Sequence, residues 1–230
     1  MNLAIIGYGK MGRLIDQLAP EYGFDVLAKL EGSNNGGARG ITAESFRGVD
    51  VAVDFSAASG VLQNIERLGE LGVNAVIGTT GWTQQLEQAR SSVQRTGIGL
   101  VWSANYSIGV NIFLQLASEA SRLAARHTEY GAWAWEIHHA AKKDAPSGTL
   151  LKVVNEMRRT DPAREVSVSS NRAGANPGIH EIGFDSAADT ITIRHTARSR
   201  EGFARGALRA ARWVIGKHGW FEFQDIAFEL

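Results

Sequence analysis

Short, wholly apolar runs alternate with stretches whose apolar residues recur at three- and four-residue intervals through the first half of the chain. Residues 3–6 contain no polar position, as expected of a strand buried on both faces of a sheet. Met11, Leu14, Ile15 and Leu18 follow at i, i+3, i+4 and i+7, predicting a helix that Pro20 stops. Residues 24–30 read as a second strand ending at Glu31, and residues 51–55 as a third. Val61, Ile65 and Leu68 mark the next helix. Residues 74–77 form a fourth predicted strand, and Thr83 is the expected N-cap of a helix with Leu86, Ala89, Arg90 and Val93 on its inner side. Residues 98–102 are the fifth strand. This alternation predicts an α/β fold: a Rossmann-like, doubly wound parallel sheet with helices on both faces.

After Ser107 the pattern changes. Val110, Phe113, Leu114, Ala117, Ser121 and Ala124 mark a long helix, and residues 132–138, 166–170, 179–185 and 190–198 read as strands. The last two are joined by a hairpin turn at 186–189. The expected sheet is mixed or antiparallel, in an α+β domain. Trp133, Trp135 and Ile137 alternate with Ala134, Glu136 and His138, so one face is apolar and the other mixed. A small sheet with large apolar groups on one side needs a cover, either its own helices or another subunit. Phe203, Ala204, Ala207, Leu208, Ala211, Val214 and Ile215 line one face of a last helix, ending at Gly216. Arg205, Arg209 and Arg212 lie opposite and read as a solvated face. This helix and the run 220–228 are expected to return to the first domain. The boundaries are then 1–106 with 204–230, and 107–203.

Composition removes several classes of function. The 230 residues include no cysteine, which excludes disulfides and thiolate metal sites. A formal net charge of zero argues against a general nucleic-acid binder. No apolar run reaches the ~20 residues of a membrane span. The N-terminus enters a strand pattern without a basic start, apolar stretch and cleavage site, so the expected location is cytoplasmic.

The first strand runs into Gly7-Tyr8-Gly9-Lys10-Met11-Gly12, a G-x-G-x-x-G sequence between strand and helix. The first two glycines allow a tight turn and close approach to a pyrophosphate, the third lets helix and strand pack closely, and the helix N-terminus favours phosphate. Glu31 lies nineteen residues after Gly12, the spacing of a carboxylate that accepts hydrogen bonds from an adenosine ribose. Ligands of such sheets sit beyond the carboxyl ends of the strands. Phe55 with Ser56, Gly78 with Thr79 and Thr80, and Ser103, Ala104, Asn105 and Tyr106 are therefore expected to line the same crevice, although each alone is also ordinary turn chemistry. Residues 32–40 read as a flexible polar loop.

Residues 135–149 (W-E-I-H-H-A-A-K-K-D-A-P-S-G-T) concentrate the remaining chemistry. His138 and His139 end an alternating strand and point to opposite faces. Histidine is the natural acid or base near neutral pH. Lys142 and Lys143 add fixed charge, Asp144-Ala145-Pro146 restricts the backbone, and Ser147-Gly148-Thr149 opens a helix with backbone N–H groups and hydroxyls. An anion at such a terminus gains about 0.3–1 kcal/mol from the dipole. Two cations and a helix N-terminus fit a substrate with two carboxylates. The histidines lack H-E-x-x-H spacing, so no metal is expected.

These residues are similar to the signature of the 4-hydroxy-tetrahydrodipicolinate (dihydrodipicolinate) reductase family, H-H-x-x-K-x-D-A-P-S-G-T. The resemblance extends to G-Y-G-K-M-G at the start, V-I-G-T-T-G at 76–81, N-Y-S-I-G-V-N at 105–111, P-G-I-H-E-I-G-F-D-S at 177–186 and S-R-E-G-F-A-R-G-A at 199–207. It implies NADH- or NADPH-dependent reduction of a cyclic imine dicarboxylate to tetrahydrodipicolinate in lysine and diaminopimelate biosynthesis. His138 resembles the catalytic acid/base and Lys142 the proton donor. His139, Gly148 and Thr149, with Ser147 beside them, resemble the groups that hold the carboxylates. The resemblance also implies a homotetramer assembled through the open sheet, and domain closure about hinges near Tyr106–Ser107 and Arg200–Phe203. The chain departs from longer members in its trimmed loops, in Ala140-Ala141 where basic residues often stand, and in Gly32 where some carry an arginine facing the 2′-phosphate of NADP; Lys10, Lys29 or Arg39 would have to supply that charge. A related oxidoreductase acting on another amino acid or imine, or a non-catalytic dinucleotide-binding protein, fits the same scaffold.

Overall fold

Strand β1 (Asn2–Ile6) and strand β3 (Val51–Asp54) have almost no exposed surface, because the sheet they share is covered on both faces. The computed structural model describes residues 1–230. The chain forms two units, Met1–Ile108 with Glu201–Leu230 and Gly109–Arg200. No helix is long and apolar enough to cross a membrane.

In the first unit β2 (Asp25–Leu30), β4 (Asn74–Ile77), β5 (Gly99–Trp102) and β10 (Gly219–Glu222) join β1 and β3 in a six-stranded sheet of order β10-β5-β4-β3-β1-β2, every pair parallel. Alternate residues serve opposite faces. Leu3, Ile5, Val51, Val53, Val76 and Val101 pack against α1 (Lys10–Leu18) and α6 (Glu201–Val214). Ala4, Ile6, Ala52, Ala75, Ile77 and Leu100 pack against α2 (Val61–Glu70) and α3 (Leu86–Thr96). Each fully buried Leu, Ile or Val contributes roughly 1.5–3 kcal/mol. Helix α6 buries alanines and a glycine because it lies close to the chain: a Cβ on Gly206 would stand 1.7 Å from the Tyr106 carbonyl oxygen.

The C-terminal run was expected only to return to this unit. It supplies the sixth strand and a short helix, α7 (Phe223–Ile226). Thr83 does not cap α3: it begins a 3₁₀ turn, and Gln85 occupies the N-cap without a side-chain bond. Trp82, Trp102 and Trp220 meet at one end of the sheet with ring centroids 6.1–6.4 Å apart.

The second unit holds β6 (Gly131–His138), β7 (Val166–Arg172), β8 (Ile179–Asp185) and β9 (Thr190–Thr196) in the order β7-β6-β8-β9. β6 and β7 are parallel, joined through α5 (Gly148–Thr160), and the other pairs are antiparallel. α4 (Ile108–Ala124) and α5 build the core with one face of this sheet. That face is the mixed one: Ala132, Ala134, Glu136 and His138 are buried, whereas Trp133, Trp135 and Ile137 are half-buried. The unit's own helices therefore cover the small and polar residues of β6 and leave its large apolar groups on the open side.

Candidate active site

β2 and β3 flank β1 on opposite sides, and the carboxyl ends of these strands open onto a cavity of about 420 Å³. Gly7, Glu31, Gly36, Phe55, Ser56 and Asn64 are among its walls. The glycine turn is built as a phosphate cradle requires. Gly7 has φ +90°, and a Cβ on Gly12 would stand 2.3 Å from the Gly7 carbonyl oxygen, so both are needed for the turn itself. A Cβ on Gly9 would meet nothing within 4 Å. Gly9 thus leaves space for a ligand, at the N-cap of α1 where backbone N–H groups favour an anion. The residues fit a dinucleotide.

Of the residues expected to line the crevice, Gly7, Glu31, Phe55 and Ser56 do so. Tyr8 donates from its hydroxyl to Asp16, which also accepts from Lys29 Nζ at 2.7 Å. Lys29 is therefore committed to a neighbour, and Lys10 is exposed. Met11 packs against the core beside α6. Gly78 lies under the Phe55 ring, where any side chain would clash at 2.2 Å. Thr80 and Ala104 are exposed, while Ser103 and Asn105 close a turn through the Ser103 hydroxyl and the Asn105 carboxamide.

Two expectations need correction. Tyr106 is 1% exposed, and its hydroxyl sits 3.0 Å from the carbonyls of Ile77 and Val101, with the Phe223 ring tilted against it at a centroid distance of 4.7 Å. Burial raises its pKa well above 10. Its side chain belongs to the core and not to the crevice. Thr79 likewise spends its hydroxyl on buried Asp54 at 2.8 Å. Asp54 also accepts from Ser56 N (2.9 Å) and Asn64 Nδ2 (2.8 Å), and the Asn64 oxygen accepts from Asn35 (3.0 Å). This chain of contacts fastens the 32–40 loop, which composition alone marks as flexible, to the ends of β3 and β4.

In the second unit the polar residues lie on the helix-covered face. Ser170, Glu136, His180 and His195 form one cross-strand row over β7, β6, β8 and β9, and His138 stands two residues along β6. Glu136 is completely buried. It accepts from Ser147 N and Arg172 Nη2, each at 2.8 Å, and from the Ser147 hydroxyl. Burial alone would raise its pKa, but these donors hold it below the usual carboxylate value. Its Oε2 lies 3.3 Å from His138 Nδ1 and 3.4 Å from His180 Nε2. Burial lowers the pKa of His138; Glu136 opposes that shift, and Lys142 and Arg172 reinforce it. Burial, with His138 nearby, lowers His180 to about 4.

Glu136, His138 and His180 bring three ligand-type atoms within 4.8 Å of one another. A metal reading fails on the surroundings: the carboxylate already accepts three hydrogen bonds, one from a guanidinium, which would repel a cation. Lys142, expected to add fixed charge, donates to both Asp144 oxygens at 2.8 Å. Ser147, grouped with the carboxylate-holding residues, is 2% exposed and is a structural residue: it caps α5 by accepting from Leu150 N at 3.1 Å and it holds Glu136. Gly148, next to it, is exposed with open space at its Cα. His139 is half-buried, its backbone N–H given to Asn176 O at 2.8 Å. Ser147→Ala is expected to remove the cap, about 1 kcal/mol, and to leave Glu136 short of a donor, about 1–3 kcal/mol. Thermal melting should fall by about 4–16 °C, at roughly 2–4 °C per kcal/mol for a chain of this size.

Glu136, Arg172 and His180 were not singled out from sequence as site residues. Glu136 and His138 share a face by the two-residue period of a strand, so Glu136 was within reach. Arg172 was not, because β7 runs two residues further than its apolar pattern.

A G-x-G-x-x-G turn opening onto a switch-point cavity, with a second unit carrying a buried histidine beside lysine and a helix N-terminus, defines a dinucleotide-dependent oxidoreductase. The chain belongs to the dihydrodipicolinate reductase family: models of that family's N-terminus and C-terminus match residues 1–106 and 109–227. It is 31% identical to the 4-hydroxy-tetrahydrodipicolinate reductase of Christiangramia forsetii over 100% of this chain and 99% of that one. It is 37% identical to the enzyme of the same name from Methanoregula boonei over 77% of this chain and 74% of that one. A solved dipicolinate-bound dihydrodipicolinate reductase from Paenisporosarcina sp. TG-14 shares the fold, with a TM-score of 0.81 at 22% identity over 98% and 99% of the two chains.

Proposed function

We propose that this chain catalyses the NAD(P)H-dependent reduction of 4-hydroxy-tetrahydrodipicolinate to tetrahydrodipicolinate, a step of lysine and diaminopimelate biosynthesis, in the cytoplasm. The observation that carries the reading is the placing of His138, Lys142 and Gly148 around the C-terminal end of β6 in a chain related over its whole length to reductases of that name. When bound, the nicotinamide supplies hydride to the imine. The first unit holds that cofactor, with the α1 N-terminus and Gly9 at the pyrophosphate and Glu31 at the ribose. Glu31 accepts hydrogen bonds from a free ribose diol and repels a 2′-phosphate, and Lys29 is spent on Asp16, so NADH is favoured over NADPH.

In the second unit His138 is the acid/base at the reacting imine and Lys142 the proton donor beside it. A substrate carboxylate takes the place of Asp144 on Lys142, while His139, Gly148 and Thr149 hold the carboxylates. The large apolar residues on the open face of β6 support assembly into a homotetramer.

The test is oxidation of NADH and NADPH with the condensation product of pyruvate and aspartate semialdehyde, and inhibition by dipicolinate. Turnover is expected with both cofactors, at a higher kcat/KM for NADH. No turnover with either removes the reading. His138→Gln should lower kcat by roughly 10²–10⁴-fold, the size of a lost acid–base contribution; a loss under threefold removes His138 from the chemistry.

A further inference from the structure

Five buried polar atoms without a hydrogen-bond partner gather in the second unit: Nδ1 of His138, His180 and His195, Oγ of Ser170 and Nε of Arg172. Such groups call for a structural or chemical account. His138 offers the clearest one. Its Nδ1 lies 3.3 Å from Glu136 Oε2 with the ring turned out of line for a hydrogen bond. Its Nε2 points the other way, toward Gly178. That residue has φ +142°, and a Cβ there would stand 2.8 Å from Nε2. Nε2 has room only because position 178 is glycine.

We propose that Glu136 is the positioning residue that fixes the tautomer of His138, keeping the proton on Nδ1 and the reactive position on Nε2. This rests on His138 being the acid/base of the reaction. A neutral imidazole has one N–H and one lone pair. With the proton on Nε2, the Nδ1 lone pair faces a buried carboxylate at 3.3 Å, a repulsive contact. With the proton on Nδ1 the same contact is attractive, and a small ring rotation closes a hydrogen bond. Nε2 is then the atom that gains and gives up the transferable proton. The carboxylate cannot turn away, because Arg172, Ser147 N and the Ser147 hydroxyl hold it from three sides. The charged and titratable groups that face His138 are Glu136 on its own strand, Arg172 on β7, His180 on β8, and Lys142 and Asp144 on the following loop. Only Glu136 has an anionic oxygen fixed beside Nδ1.

The substitution Glu136→Gln tests this sharply. The Oε1 position faces only donors, Ser147 N and Arg172 Nη2, so the amide oxygen must occupy it. The NH₂ then takes the Oε2 position and donates to His138 Nδ1, selecting the wrong tautomer. kcat should fall by about 10²-fold or more, with KM within about threefold. Glu136 raises the affinity of His138 for its proton, so the limb of the rate profile that falls as pH rises should move to lower pH in the variant. Nitrogen-15 histidine spectra of the unaltered protein provide a readout independent of the variant's folding. With the His138 signals assigned by their loss in His138→Gln, the neutral ring should carry its proton on Nδ1. A ring protonated on Nε2 overturns the proposal. A folded Glu136→Gln with unchanged kcat and an unmoved limb also overturns it, and leaves the acid/base reading intact if His138→Gln is inactive. If His138→Gln keeps turnover within threefold, that reading fails and the proposal falls with it.

Discussion

Gly12→Ala is expected to destabilise the first unit severely, while Gly9→Ala leaves stability unchanged and impairs cofactor binding. The added methyl at position 12 would lie 2.3 Å from a backbone carbonyl oxygen and 3.1 Å from Ile5 Cγ2. Neither is the end of a flexible side chain, so α1 must move off β1. Overpacking of this kind costs about 1–3 kcal/mol and occasionally more, or a drop of about 2–12 °C in melting temperature. At Gly9 the backbone has φ −83° and the space is open, so alanine fits the free protein. It occupies the position proposed above for the pyrophosphate, and the Kd for NADH should rise at least about tenfold, or ~1.4 kcal/mol. Thermal melting and NADH titration of the two variants check the pair. A stable Gly12→Ala, or a Gly9→Ala that binds NADH normally, contradicts the account of the turn.

The second large effect is on stability in acid. His180 is 4% exposed, with its pKa lowered by burial to about 4 from an ordinary value of 6.5. Between those two pH values the unfolded chain binds a proton at this site and the folded chain does not. Stability contributed by neutral His180 is therefore complete above about pH 6.5 and is lost as pH falls toward 4. The difference is worth roughly 3 kcal/mol at about 1.36 kcal/mol per pKa unit. The lowered pKa of Glu136 acts in the same direction further into acid. Urea unfolding from pH 7.5 to 4.5 should show this loss, and His180→Gln should flatten the slope across the window. A slope unchanged by His180→Gln would place the acid sensitivity elsewhere.

The sheet of the first unit was legible because its central strands are apolar over most of their length and its helices keep a clean 3.6-residue period; the order at the glycine turn follows from strand–turn–helix spacing alone. Tyr106 was misplaced for a physical reason. Its neighbours Ser103 and Asn105 do form a strand-end turn, but a phenol long enough to reach two carbonyls turned inward instead. The histidine–lysine stretch was legible as chemistry, but its supports were not. Arg172 and His180 lie far from His138 in sequence, and only β-strand register brings them beside Glu136. Ser147 shows the converse: its position at a helix start was evident, yet whether its hydroxyl faces a ligand or a buried carboxylate depends on the tertiary fold.

The tryptophan trio at the edge of the first sheet has an optical consequence. Indole rings 6.1–6.4 Å apart couple electronically and give a strong near-ultraviolet dichroic signal from the first unit. Trp133 and Trp135, half-buried on the open sheet face, belong to the second unit and stand apart from this trio. The dichroic signal of the trio therefore follows the first unit, and a melting curve from it that does not coincide with the far-ultraviolet curve of the whole chain would reveal the units unfolding separately.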